Sequence, residues 1–86
     1  MKKAWTDDGW NDYLYWQTED KRTLKKINSL IKSIERDGVL KGEGHPEPLK
    51  YRPGYSRTIN EKDRLVYDVC DGELVIISCR SHYEDK

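Results

Sequence analysis

Three side chains in the second half of the chain could together catalyse the cleavage of RNA. Glu47 lies between Pro46 and Pro48, and Arg64 and His82 follow further along. Cleavage by a ribose 2′-OH needs a base for the 2′ proton, an acid for the departing 5′ oxygen and a cation for the charge on the phosphorane. A carboxylate and an imidazole can divide the two proton transfers in either order, and a guanidinium grips phosphate oxygens. Glu47, Arg64 and His82 are therefore our candidate catalytic residues.

Two more side chains adjoin this group. Arg80 precedes His82 by two residues, and Tyr83 follows it directly. Residues two apart in a strand lie on the same face of a sheet, so Arg80 is a candidate substrate-binding cation beside the imidazole. Tyr83 could stack on a base, or it could cover the edge of the core.

Each catalytic candidate also has an ordinary structural interpretation. Glu47 could be a solvated loop carboxylate, and Arg64 could form a surface ion pair with the neighbouring Asp63. His82 lies near the end of the sequence, where exposed histidines in mobile tails are common. For each residue taken singly, composition and spacing favour the ordinary interpretation.

The charge composition gives no support to a generic nucleic-acid-binding protein. The 86 residues include 16 basic and 16 acidic side chains, so the net charge is zero, whereas such proteins are usually basic. The positive charge is concentrated in residues 21–36, which sum to +5. A basic helix face is usually solvated, and contact with a phosphate backbone is the alternative. The length allows one domain, residues 1–86.

Neither a membrane segment nor a metal site is expected. No apolar run approaches the roughly 18 residues that a membrane span needs, and the opening segment MKKAWTDDGW has no apolar signal region. We therefore expect the protein to stay in the cytoplasm, with Cys70 and Cys79 as free thiols. Since the chain has no cysteine pair at ligand spacing and only two histidines, neither zinc nor any other cofactor is expected.

Two helices are predicted in the first half of the chain. Residues 2–6 could form an edge strand, and Thr6 or Asp7 could cap the first helix. The buried stripe of that helix is predicted to consist of Trp10, Tyr13, Leu14 and Trp16. Asp20 could cap the second helix, and Gly38 could end it. The apolar stripe of the second helix consists of Leu24, Ile27, Leu30, Ile31 and Ile34.

The second half of the chain is predicted to form short strands. The segment KGEGHPEPLK, with two Gly and two Pro, reads as a loop that leads into an extended segment. Strands are predicted at residues 55–60, 64–69 and 73–80. Short strands joined by short turns favour an antiparallel-rich sheet, with both helices on one face. The predicted fold class is therefore α+β.

The last hairpin decides which side chains share a face with Arg64. A three-residue loop at residues 70–72 would place Arg64, Arg80 and His82 on one face. The core face would then carry Leu65, Tyr67, Val69, Val75, Ile77 and Cys79. A two-residue loop at residues 71–72 would shift the parity and separate Arg64 from His82. The three-residue loop sorts apolar from polar residues better, and the two-residue loop is the alternative.

The sequence resembles the YoeB/Txe family of bacterial toxins over residues 1–83. The resemblance is carried by the segments WNDYLYWQ, DKR, KKIN, GHPEPLK, GYSRTI, DRLVY and SCRSHY, in this order. None of these segments is specific alone, but together they are. The family has the RelE/ParE-like fold, which agrees with two helices on one face of a sheet.

The resemblance implies a ribosome-dependent endoribonuclease that cuts mRNA in the ribosomal A site. It implies acid–base roles for Glu47 and His82, the histidine as acid. It further implies phosphate stabilisation by Arg64 and a site position for Tyr83, which forms the His-Tyr pair.

The same resemblance extends to further contacts and partners. It implies that Lys50 contacts the RNA backbone and that Arg57 also binds substrate. It implies a cognate antitoxin of the YefM/Phd type, whose C-terminal segment wraps the toxin and blocks it. A homodimer is also implied.

Two alternatives to a nuclease remain open at this point. Since a fold does not determine a function, the chain could be a non-catalytic binding module, like fold relatives that inhibit DNA gyrase. It could also be an inactivated toxin. An acid–base pair argues for catalysis, because a pure binding module has no need for one.

Overall fold

Seven elements in the order βααββββ form a helical layer on one side of a five-stranded sheet. The structure is a computed structural model that describes residues 1–80. The elements are β1 (Lys2–Trp5), α1 (Asp7–Glu19), α2 (Lys21–Asp37), β2 (Glu47–Pro48), β3 (Tyr55–Thr58), β4 (Arg64–Cys70) and β5 (Glu73–Ser78). The strand order is β1-β5-β4-β3-β2. Strand β1 is parallel to β5, and the other neighbouring strands are antiparallel. The predicted α+β class is confirmed.

The helix termini lie where their capping residues predict. Thr6 caps α1: its Oγ1 accepts a hydrogen bond from Gly9 N at 3.0 Å and donates to the carbonyl of Ile77 at 2.6 Å. Asp20 caps α2 by accepting from two backbone N–H groups of its first turn. Gly38 ends α2 with a φ of 114°, a conformation that favours glycine. The Thr6 bond also ties the start of α1 to β5.

The hydrophobic core lies between the helices and one face of the sheet. Helix α2 contributes its predicted stripe, of which Ile27 and Leu30 are fully buried. The buried core residues of the strands are Leu65, Tyr67, Leu74 and Ile76, followed along the chain by Cys79. Within residues 1–80, no helix is long and apolar enough to cross a membrane.

The predicted buried stripe of α1 is wrong for two of its four residues. Trp10 is 45% exposed and Leu14 is 39% exposed, whereas Trp16 is buried and donates from Nε1 to the carbonyl of Cys79 at 2.8 Å. The helix contacts the sheet through Gly9, where a Cβ would lie 2.3 Å from the carbonyl oxygen of Ile76. This close contact at Gly9 determines which face of α1 points toward the sheet. That face differs from the one predicted from the spacing of the apolar residues.

The last hairpin has the two-residue loop, so the preferred three-residue loop is wrong. Cys70 pairs with Glu73, and both loop residues have positive φ, 51° at Asp71 and 75° at Gly72. Positive φ at both positions defines a type I′ turn, whose twist matches that of the flanking strands.

A β-bulge follows the turn and changes the faces again. Val69 pairs with Leu74 and Tyr67 with Ile76, but Val66 pairs with Ser78. Near the turn, therefore, the core face carries Leu74 and Ile76 rather than the predicted Val75 and Ile77. Beyond the bulge the parity returns to the predicted one, and Cys79 is buried in the core as expected.

Candidate active site

The face of the sheet that the helices leave uncovered carries Glu47 and Arg64. Glu47 pairs with Ser56, Ser56 pairs with Val66, and Thr58 pairs with Arg64. Because paired residues lie on the same face and alternate along each strand, all five side chains share the face opposite the helices, where Val66 and Ser56 are buried. Three neighbouring strands, β2, β3 and β4, thus contribute to one surface.

The carboxylate and the guanidinium of this surface are in direct contact. Arg64 Nη2 donates to Glu47 Oε1 at 3.2 Å and to Ser56 Oγ at 2.9 Å. The Arg64 side chain is 23% exposed and the Glu47 side chain is 63% exposed. The buried Ser56 therefore holds the guanidinium on its protein side, while the Glu47 carboxylate remains open to solvent. Two of the three candidate catalytic residues therefore lie side by side.

The backbone around Glu47 is stiff on both sides. Pro46 and Pro48 fix their own φ angles and remove two N–H donors. After them, Leu49 N donates to the carbonyl of Gly54 at 3.0 Å and closes the β2–β3 hairpin. Strand β2 is only two residues long, so these constraints set the direction of the Glu47 side chain.

Ser56 is a site residue that the sequence interpretation missed. Ser56 is only 4% exposed, and its hydroxyl accepts a hydrogen bond from Arg64. The available signal was strand parity: a small polar residue two positions before Thr58 shares the face of Arg64. A serine hydroxyl orients the guanidinium without neutralising its charge.

Arg57 lies on the opposite face and cannot contact substrate. It pairs with Leu65 and is fully buried. All hydrogen-bond partners of its guanidinium are neutral oxygens. The pKa of nearby Asp37 is lowered mainly by hydrogen bonds from Arg36 and Ser33, and the positive charge of Arg57 lowers it further. The predicted substrate-binding role of Arg57 is therefore wrong, because strand alternation turns the side chain into the core.

Arg80 and Lys50 lie on different parts of the surface. The Cζ atom of Arg80 is 3.6 Å from the centre of the Tyr15 ring on α1, which is a cation–π contact. Beyond β5, then, the structure places Arg80 against a helix. Lys50 is exposed in the turn that joins β2 to β3, close in sequence to Glu47.

His82 and Tyr83 lie outside the described residues. The chain leading to them is fixed at Cys79, whose N–H donates to Asp12 Oδ2 at 2.9 Å. Burial raises the pKa of Asp12, partly offset by this hydrogen bond. Among residues 1–80, no group of three His, Cys, Asp or Glu side chains could hold a metal ion.

The surface is suited to chemistry on a phosphodiester. An exposed carboxylate can accept a proton, and a guanidinium beside it can bind the oxygens of the phosphate. Ser56 also binds the guanidinium, so the guanidinium keeps its orientation when a substrate phosphate competes with the Glu47 carboxylate for it. These are two of the three functions that 2′-OH cleavage requires.

Comparison with known proteins places this fold among small toxins of bacterial toxin–antitoxin systems. The sequence model of the YoeB-like toxins of bacterial type II toxin–antitoxin systems matches residues 5–83, and the chain belongs to this family. Toxin YoeB of a Synechocystis species is 55% identical over 98% of this chain and 99% of its own length.

Two solved structures from Staphylococcus aureus have the same fold. The YoeB dimer superposes with a TM-score of 0.90 and 47% identity, covering 96% of this chain and 98% of its own. The heterotetrameric YoeB–YefM toxin–antitoxin complex gives a TM-score of 0.89 and 46% identity, with the same coverage of both chains.

Proposed function

We propose that this protein is a ribosome-dependent endoribonuclease that cleaves mRNA in the ribosomal A site and thereby inhibits translation. The observation that carries the proposal is the 3.2 Å contact between Arg64 and Glu47 on the uncovered sheet face of a YoeB-family chain. The zero net charge fits an enzyme whose RNA is positioned by the ribosome. Such a nuclease does not need a basic surface of its own to bind RNA.

In the proposed reaction the ribose 2′ oxygen attacks the adjacent phosphorus and the 5′ oxygen leaves. Glu47 and His82 divide the two proton transfers: one takes the 2′ proton and the other protonates the departing oxygen. Arg64 stabilises the charge that develops on the phosphorane, and Ser56 keeps its guanidinium in place. Tyr83 contributes by stacking or positioning a base.

The proposal includes further contacts and partners. Lys50, which is exposed in the turn after β2, contacts the RNA backbone. A YefM-type antitoxin binds and inhibits the protein, by analogy with the Staphylococcus aureus complex, and two copies form a dimer as in the Staphylococcus aureus toxin. The site of action is the cytoplasm, where translating ribosomes are found.

Primer-extension mapping of mRNA from a translating extract tests this function. The purified protein should produce new 5′ ends within translated reading frames, and none when the same mRNA is incubated without ribosomes. Cleavage of the free mRNA at the same positions would refute ribosome dependence. In cells that express the protein, growth arrest without mRNA cleavage would favour the non-catalytic alternative, and the absence of both would indicate an inactivated toxin.

A further inference from the structure

Arg57 is the largest fully buried side chain of the described residues. Its Nε donates to Tyr67 Oη at 2.9 Å, and its Nη1 donates to Ser33 Oγ at 3.1 Å. Its remaining acceptors are backbone carbonyls of Gly38, Val39, Lys41 and Glu43, at 2.8, 3.3, 2.8 and 2.8 Å. All three guanidinium nitrogens are thus in use, and every partner oxygen is neutral.

The carbonyls around this guanidinium come from the segment between α2 and β2. Residues 38–46 contain no helix or strand, and the carbonyls of four of them converge on Arg57. Within the segment, Lys41 N donates to the carbonyl of Gly38 at a long 3.4 Å. Gly42 and Gly44 have positive φ values of 99° and 88°. The backbone of this segment is therefore neither helical nor extended, and no helix or strand hydrogen bonds stabilise it. The guanidinium, which binds four carbonyls, is therefore a central anchor of this segment, together with the hydroxyls of Ser33 and Tyr67, which bind Glu43 N and the carbonyl of Val39.

The organised segment leads directly to Glu47. Gly44 packs closely against Arg57, because a Cβ at Gly44 would lie 3.1 Å from Arg57 Cβ. The carbonyl of Gly44 accepts from Thr58 N at 2.7 Å, and only His45 and Pro46 separate Gly44 from Glu47. Since β2 has only two residues, the position of the Glu47 backbone depends on this anchor on its N-terminal side.

We propose that Arg57 is a positioning residue for Glu47: from the core side of the sheet, its guanidinium fixes the backbone segment that aims the Glu47 carboxylate at the substrate. This inference rests on the proposed function. The expected size of the effect is large, because a reacting group that moves by about 1 Å can lose on the order of 10²-fold in rate.

The conservative variant Arg57→Lys tests the inference. Lysine keeps the charge and most of the stem but lacks the planar fork of five donors, so it cannot hold four carbonyls at once. Single-turnover cleavage on programmed ribosomes should slow about 10-fold or more, while the ribosome concentration for half-maximal rate should stay within about two-fold. If Arg57→Lys does not fold, Tyr67→Phe is the substitute, since the Tyr67 hydroxyl bonds both Arg57 Nε and the carbonyl of Val39.

A double-mutant cycle with Glu47→Gln separates positioning from general destabilisation. If Arg57 acts through Glu47, then Arg57→Lys should change the residual rate of Glu47→Gln by less than about two-fold. Ile27→Val, a variant of a fully buried residue of α2, is the matched core control and should have the same small effect in both backgrounds.

The outcomes distinguish this inference from the proposed function. If Glu47→Gln slows cleavage and Arg57→Lys slows it by the same further factor in both backgrounds, then Arg57 is not a positioning residue, while the proposed function stands. If Glu47→Gln leaves the rate unchanged, the proposed role of Glu47 is itself overturned, and this inference with it.

Discussion

Arg57 and Arg64 lie on opposite faces of the same pair of strands. In the β3–β4 register Arg57 is opposite Leu65 and Arg64 is opposite Thr58, and side chains alternate along a strand. One guanidinium is therefore buried in the core, and the other lies beside Glu47 on the uncovered face. The register thus assigns one arginine to structure and the other to the proposed chemistry.

Removing the guanidinium of Arg64 should slow cleavage strongly. Arg64→Gln should lower the single-turnover rate by about 10²–10³, as for other losses of a group that stabilises developing charge. The rate of Arg64→Lys should lie between those of the parent protein and Arg64→Gln, because lysine keeps a charge but cannot bind both phosphate oxygens and Ser56. The rate is measured at saturating programmed ribosomes, with Arg22→Gln on an exposed position of α2 as control. A full-rate Arg64→Gln variant would exclude this residue from the site.

Replacing the carboxylate of Glu47 should remove a proton transfer without unfolding the protein. Glu47→Gln should lower the rate by about 10²–10⁴. Because the Glu47 side chain is 63% exposed, its ion pair with Arg64 contributes only about 0–1 kcal/mol to stability, so thermal unfolding should change little. Glu19→Gln at the end of α1 is the matched control. Equal rates for both variants would argue against acid–base catalysis by Glu47.

His82 should be required for the second proton transfer. His82→Ala should lower the rate by about 10²–10⁴, and added imidazole should restore part of it. The only other histidine is His45, with a φ of 50°; His45→Asn is the control, since asparagine tolerates this conformation. Equal losses in both variants, with no rescue by imidazole, would remove His82 from the proposed mechanism.

The helices could be predicted from the sequence because their signals are local. Thr6, Asp20 and Gly38 mark helix ends through bonds that span only a few residues. The buried face of α1 was less predictable. It depends on the close contact between Gly9 and Ile76, and a glycine carries no apolar signal.

The site could be predicted only in part because strand faces depend on register. The proline-flanked glutamate and the family resemblance indicate Glu47 and Arg64, and the structure has these two residues in contact. The face of Arg57 was missed, because a resemblance names residues without their orientation. The faces of Val75 and Ile77 were missed for another reason: the loop has two residues rather than three, which shifts the parity of β5 next to the turn, and the parity returns only beyond the bulge.

The carboxylate of Asp68 should suppress the reactivity of Cys70. Cys70 is exposed, and the negative charge of Asp68 is the main cause that raises the pKa of its thiol. Alkylation proceeds through the thiolate, so at pH 8 Asp68→Asn should react with iodoacetamide faster than the parent protein, while Asp7→Asn should not. The difference should shrink as the pH rises above the pKa of both forms. Equal rates across this range would exclude electrostatic control by Asp68.

Cys79 supplies the internal reference for the same experiment. Burial raises the pKa of its thiol to about 12, so it should remain unmodified in the native protein at pH 8 and react only after denaturation. Intact-mass measurement should therefore show one modified thiol before denaturation and two afterwards. Two modified thiols in the native protein would mean that Cys79 is not enclosed in the core.

An alanine at Gly9 should destabilise the protein, although alanine is the better helix former. Helix propensity favours Gly9→Ala by about 1 kcal/mol. Against this, the new Cβ would lie 2.3 Å from the carbonyl oxygen of Ile76, a backbone atom that cannot rotate away. Overpacking of this kind costs about 1–3 kcal/mol or more, and moving α1 outward would also break the 2.6 Å bond from Thr6 to Ile77. Urea unfolding should thus show a net loss of about 1–2 kcal/mol, whereas Asn11→Ala on the exposed side should lose nothing. A more stable Gly9→Ala variant would show that α1 lies farther from β5.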